Sequence, residues 1–116
     1  MNKRKMFYLE CNLAGRQYHE ANDVWNKLKV GIELCLVREK NNRYDPDAIA
    51  VGYLDVETGY IYTLGYIPAK CNGALVSFMD MGWRDIFECQ ISKISPDEHY
   101  ENQIRLTISI MNKTLL

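Results

Sequence analysis

A chain of 116 residues with 47% hydrophobic and 25% charged residues and a net charge of −1 has the length of one domain and an ordinary globular balance, which excludes disordered and fibrous classes. No apolar run approaches the ~20 residues of a membrane helix, and Met1 to Lys5 precedes no signal-peptide core, so a cytoplasmic location without a membrane partner is expected. The charge balance excludes a generally basic nucleic-acid coat but permits a local one, because residues 1–45 hold nine Lys/Arg against six Asp/Glu and residues 46–116 hold five against nine.

Residues 1–6 read as a flexible basic N-terminus, in which Lys3-Arg4-Lys5 is either a phosphate-attracting arm or a solvated end. A single domain is expected over residues 7–111, followed by a tail at 112–116. Phe7, Leu9, Cys11 and Leu13 alternate with Tyr8, Glu10 and Asn12, the period of a half-buried strand. Gly15 interrupts it with a turn or bulge. From Tyr18 to Leu28 the spacing of Ala21, Val24, Trp25 and Leu28 predicts a short helix, with Trp25 as its anchor.

Ile32 to Val37 predicts a strand that leaves through a polar, turn-rich loop, Arg38 to Pro46. Ala48 to Leu54 and Tyr60 to Ile67 form a hairpin around Asp55 to Gly59. Gly52 and Gly65 lie inside these strands, where a bend or the close approach of a second backbone would require them. Pro68 opens a second helix whose stripe is Ala74, Leu75, Phe78 and Met79, stopped by Gly82. Asp85 to Ile94 alternates imperfectly, whereas Gln103 to Met111 alternates cleanly with Ile104, Leu106, Ile108 and Ile110 inward.

Six short strands and two short helices in so small a chain predict a mostly β fold, a partly open antiparallel barrel. Strand-helix-strand repeats, phosphate loops, dinucleotide glycine patterns and nucleophile elbows are absent, so no cofactor and no enzymatic activity are expected. Cys11, Cys35, Cys71 and Cys89 stand singly at wide spacings, and reduced core thiols fit Cys11, Cys35 and Cys89 better than a zinc site does. His19 and His99 read as exposed polar residues. Asp45, Asp47 and Glu39 could hold Mg²⁺ for phosphodiester hydrolysis, a minor alternative to no metal.

The stretch Arg38-Glu39-Lys40-Asn41-Asn42-Arg43-Tyr44-Asp45-Pro46-Asp47-Ala48-Ile49-Ala50-Val51, with Gly15-x-x-Tyr18 before it and Leu64-Gly65-Tyr66-Ile67-Pro68 after it, resembles the HIRAN domain over Leu9 to Ile110. The resemblance implies a six-stranded barrel of the oligonucleotide-binding or SH3-like type. It also implies a module that binds single-stranded DNA at its free 3′-hydroxyl end, in repair or in processing of replication forks, beside a helicase or nuclease partner. On this resemblance Tyr18 stacks on the terminal base, and Asp45 accepts a hydrogen bond from the 3′ hydroxyl. A carboxylate there repels a 3′-phosphate, so repulsion supplies selectivity.

The same resemblance places Tyr44 beside the end nucleotides, Asn41 on a phosphate or base edge, and Gly15 where a backbone must come close. Lys70, Arg43 and Arg16 would neutralise inner phosphates. The chain departs from fork-remodelling members in having Gln17 where they carry Arg and Tyr66 where they carry His. It also lacks their last-strand aromatic, with Ile108 nearest that position. Turn formation alone is the competing account of Asp45, Asn41 and Asn42. Two further functions stay open at this level: a protein-interaction barrel without DNA binding, and an accessory subunit of a metal-dependent nuclease or helicase.

Overall fold

The expected alternation appears in six strands, and local bulges decide where it breaks. The computed structural model describes residues 5–111. In it β1 spans Lys5–Asn12, β2 Glu33–Glu39, β3 Ala48–Leu54, β4 Ile61–Tyr66, β5 Phe87–Ile94 and β6 Ile104–Met111. They pair antiparallel in the order β1-β6-β5-β2-β3-β4. β2 belongs to both halves of the curl: Glu33 and Leu34 pair with β5, whereas Cys35 to Glu39 pair with β3. The architecture is therefore the mostly β, partly open barrel read from the sequence.

The two outer strands meet at one point past the end of β1. There the amides of Ala14 and Tyr66 each donate to the other's carbonyl at 2.9 Å. A Cβ on Gly65 would collide with the Ala14 carbonyl oxygen and lie 2.9 Å from Leu13 Cγ, so this seam needs glycine. Gly52 sits at a register shift next to Val51, where an added Cβ would meet Ile61 Cγ2 and lie 3.3 Å from the Tyr62 carbonyl oxygen. The barrel interior is filled by Leu13, Ile49, Val51, Leu64, Leu75, Met79, Ile91, Ile104, Leu106 and Ile108, each at 2% exposure or less. Burial of this apolar set is the main force closing the sheet.

Several expectations are corrected. Phe7 does not share the inward face of β1: it is 62% exposed, as Met6 is, on the far side of a register shift between Phe7 and Leu9 that makes Tyr8 an extra residue. A similar shift lies between Ile91 and Lys93 in β5, where Glu88 and Cys89 are buried in succession. The predicted first helix is two 3₁₀ segments, Arg16–Tyr18 and Ala21–Lys27, the second broken at Val24. Ala21, Val24 and Leu28 are buried there and Trp25 packs against the core, so the apolar spacing was sound although α-helical bonding does not form.

In the α-helix α1, Gly73–Asp80, the buried residues are Leu75, Val76 and Met79, while Ala74 faces solvent. Ile110 is only partly buried near the strand end.

The basic N-terminus and the tail at 112–116 lie mostly outside the described residues. Lys5 and Met6 are the exception, and they are strand, opposite Met111 and Ile110. Lys5 Nζ also lies 2.6 Å from the buried carboxylate of Glu88, so Lys5 is tied to the sheet by its side chain as well as its backbone. All four cysteines are free; Cys11 and Cys89 are buried, but Cys35 and Cys71 are half-buried, which removes Cys35 from the interior proper. Burial pushes the Cys11 thiol up to about 11 and raises that of Cys89 further, which keeps both as unreactive thiols.

Among the described residues no group of three or more His, Cys, Asp or Glu could hold a metal ion, and no helix is long and apolar enough to cross a membrane.

Candidate nucleic-acid interface

The seam between Ala14 and Tyr66 places two loops side by side. Gly15, at φ 71°, turns the chain off β1 in a left-handed conformation and leads directly into the 3₁₀ turn that carries Tyr18. The loop between β2 and β3 approaches from the other side. Between them lies an open groove of about 600 Å³, lined by Tyr18, His19, Asn42, Tyr44, Asp45 and Tyr66 over a floor of Ala14, Ala48, Ile67 and Ala69. No Lys or Arg is among these lining residues.

The β2–β3 loop is held by its own polar side chains. Asn42 Oδ1 accepts the amides of Tyr44 and Asp45 at 2.8 and 3.0 Å, and Asp45 Oδ1 accepts the amide of Asp47 at 2.9 Å. These are the Asx turns the sequence suggested. Behind them, the hydroxyl of Tyr66 donates to Glu39 Oε1 at 2.7 Å, and Asn42 Nδ2 donates to the same oxygen at 3.1 Å. Tyr66, Glu39 and Asn42 thus form one relay from the barrel seam to the loop that presents Tyr44 and Asp45.

Arg38 ties the loop to α1. Its guanidinium is bidentate to the Asp80 carboxylate at 3.0 and 3.2 Å and donates to the carbonyls of Pro46 and Ala48. The ion-paired hydrogen bond holds Asp80 below the usual carboxylate range and raises Arg38 above its own ordinary value. Buried Asn72 completes the support, donating through Nδ2 to the Asp47 carbonyl at 3.0 Å and to Asp45 Oδ2 at 3.4 Å.

Tyr18 and Tyr44 are 78% and 90% exposed, so both rings are open to solvent and to a ligand. Tyr66 is half-buried, with the His19 ring 5.3 Å from its own. Burial, then the bond to Glu39, pushes the Tyr66 phenol up to about 12. The neutral hydroxyl therefore contributes stability that is complete below pH 10.0 and is lost as pH rises through about 12. Phenolate absorbance across an alkaline titration is expected to show a tyrosine ionising late, near pH 12, and Tyr66→Phe to remove that component. Persistence of the late component in the variant would assign it to another tyrosine, such as Tyr60, which its bond to Glu20 also raises.

Of the residues singled out in the sequence, Tyr18, Tyr44, Asp45 and Tyr66 meet in this groove. Asn42, not its neighbour Asn41, lines it; Asn41 is exposed, as are Gln17 and Arg43. Gly15 and Lys70 line an adjoining cavity of about 500 Å³ that shares Ala14 with the groove and holds Asn12, Asn102 and Arg105. Arg16 lies apart. It is 4% exposed, its guanidinium 4.5 Å from the Trp25 ring centre and 5.2 Å from that of Tyr100, with Nη2 donating to Asn22 Oδ1 at 2.8 Å.

That stacking gives Arg16 a role in fixing the 3₁₀ turn that displays Tyr18. His19, Asn42, Asn72 and Arg38 were not singled out in advance as site residues. The first two had a signal in adjoining Tyr18 and Tyr44-Asp45, and Arg38 in opening the long motif.

A small antiparallel barrel whose seam opens into an aromatic and carboxylate groove has the partly open architecture of the oligonucleotide-binding type of fold. The family model of the HIRAN domain matches residues 6–111, and the chain belongs to that family. HIRAN domains are DNA-binding modules found in nuclease and remodelling proteins. The chain is 28% identical over 102 residues to a Fanconi-associated nuclease 1 homolog of Oryza sativa subsp. japonica, covering 88% of this chain but only 10% of that protein.

Its fold matches a crystal structure of a Lactobacillus plantarum protein at a TM-score of 0.75 and 22% identity, covering 96% of this chain and 99% of the other. It matches the HIRAN domain of human HLTF at a TM-score of 0.66 and 18% identity, covering 93% and 79%.

Proposed function

We propose that the domain binds single-stranded DNA at a free 3′-hydroxyl end and contributes binding without catalysis, with a nuclease or helicase as its working partner. The observation that carries this reading is that Tyr18 and Asp45, far apart in sequence, line one solvent-open groove together with Tyr44. A terminal base stacks on an exposed tyrosine, an interaction worth about 1–3 kcal/mol that tolerates any base. The sugar lies on the alanine and isoleucine floor, and its hydroxyl donates to Asp45.

With no cation lining the groove, the inner phosphates run outside it, toward Lys70 in the adjoining cavity and the exposed Arg43. Arg16 takes no part in phosphate neutralisation because its charge is spent on Trp25, Tyr100 and Asn22.

The test is a polarisation titration of a labelled ten-base strand with a free or a phosphorylated 3′ end, at two salt concentrations. The free end is expected to bind at least about tenfold tighter, and Tyr18→Ala to weaken it by about 1–3 kcal/mol. Equal binding of both ends by the parent protein would refute the reading, and so would binding of neither.

A further inference from the structure

The Asp45 carboxylate has room for more than a single hydroxyl donor. An ionised carboxylate has about four acceptor positions, two on each oxygen. Oδ1 spends one on the Asp47 amide at 2.9 Å, and Oδ2 spends one on Asn72 Nδ2 at the long distance of 3.4 Å. Both bonds come from the protein's own frame and hold the carboxylate in one orientation. One acceptor position remains on each oxygen, and Asp45 is only half-buried at the wall of the open groove.

Two adjacent free acceptors on one rigid planar group match two adjacent hydroxyl donors. A deoxyribose terminus offers one such donor, and a ribose terminus offers two, on neighbouring carbons. A groove of about 600 Å³ floored by Ala14, Ala48, Ile67 and Ala69 leaves space for the second hydroxyl. The absence of Lys and Arg from its lining also favours a neutral sugar edge over a phosphate there.

Resting on the end-binding reading above, we propose that the preferred terminus is a ribonucleoside, its 2′ and 3′ hydroxyls donating one to each oxygen of Asp45. The same diol chemistry is presented by the end of an RNA strand, by a ribonucleotide left at a DNA end, and by a free ribonucleoside. The proposal concerns strand ends, with Tyr18 and Tyr44 stacking successive bases.

The experiment titrates one ten-base DNA sequence carrying four different terminal sugars: ribose with both hydroxyls, 2′-deoxyribose, 2′,3′-dideoxyribose and a 3′-phosphate. The diol end is expected to bind about tenfold tighter than the deoxy end, one charge-assisted hydrogen bond more, and Asp45→Asn to bring the two within about twofold. An all-RNA strand should match the diol-ended DNA. Free adenosine should compete only weakly, having one base to stack, and competition equal to the diol strand would overturn the strand-end assignment.

Equal binding of diol and deoxy ends, with the dideoxy end weaker, would overturn the ribose proposal and leave 3′-hydroxyl recognition standing. Equal binding of all four ends would overturn both.

Discussion

Asp45→Asn is expected to abolish discrimination between a 3′-hydroxyl and a 3′-phosphate end while leaving the fold intact. Asparagine keeps the shape and one carbonyl oxygen, so the bond from the Asp47 amide, now 2.9 Å from Oδ1, survives. What disappears is the negative charge that faces the ligand, together with the long 3.4 Å bond that Oδ2 accepts from Asn72 Nδ2. Two like charges about 4 Å apart repel by ~1 kcal/mol in water and by ~4 kcal/mol near a protein surface, so between about fivefold and several hundredfold of selectivity rests on that charge. The variant should bind the phosphorylated end more tightly than the parent does, and the hydroxyl end less tightly.

Denaturant unfolding is the control, with a shift within ~0.5 kcal/mol expected for a change that keeps the turn. An unchanged hydroxyl preference would place end recognition elsewhere, with Tyr66 or His19 the next groove residues to test.

Gly65→Ala is expected to carry the largest cost in stability. The added methyl would collide with the Ala14 carbonyl oxygen and lie 2.9 and 3.0 Å from Leu13 Cγ and Cδ1. Its neighbours cannot yield easily, because the Ala14 carbonyl accepts the Tyr66 amide at 2.9 Å and Leu13 is 1% exposed in the core. Overpacking of this kind costs about 1–3 kcal/mol, a fall in Tm on the order of 10 °C for a domain of this size.

Ala14 and Tyr66 both line the groove, so the variant should also lose ligand affinity at temperatures where it is folded. A thermal scan that superimposes on that of the parent would mean that the seam is not closed by this bridge in solution. Gly59→Ala makes a useful comparison. It has a positive φ of 75° but nothing within 4 Å of an added Cβ, so its cost is backbone strain of ~1 kcal/mol without a collision.

Much of the molecule was legible along the chain because local patterns report local physics. The alternation of Ile104, Leu106 and Ile108 sits inward, and the glycines at 52 and 65 stand where a strand shifts register and where a second backbone comes close. The turn residues between Arg38 and Asp47 build the loop through their own side chains, as their types suggest. The long motif in the same stretch placed the chain in its family.

Other features depend on partners that the local pattern does not name. Phe7 is apolar and in phase, yet beyond a bulge set by pairing with β6 both it and Met6 are exposed. Arg16 looks like a phosphate ligand beside Tyr18, and only the arrival of Tyr100 from the β5–β6 connection shows that its charge is stacked inside. Arg38 meets Asp80 across the fold, a pairing that no spacing predicts.

By itself, then, the sequence determined the strands, the turn chemistry, the family and the residue types that can recognise a nucleic-acid end. Tertiary structure alone decided that Tyr18 and Asp45 share one groove, that Asn42 rather than Asn41 lines it, and that no cation does. The physical reason is one of range. Periodicity and turn preference act over a few residues, whereas a groove is made where a sheet curls back on itself, and the Ala14–Tyr66 seam exists only once the whole core has packed.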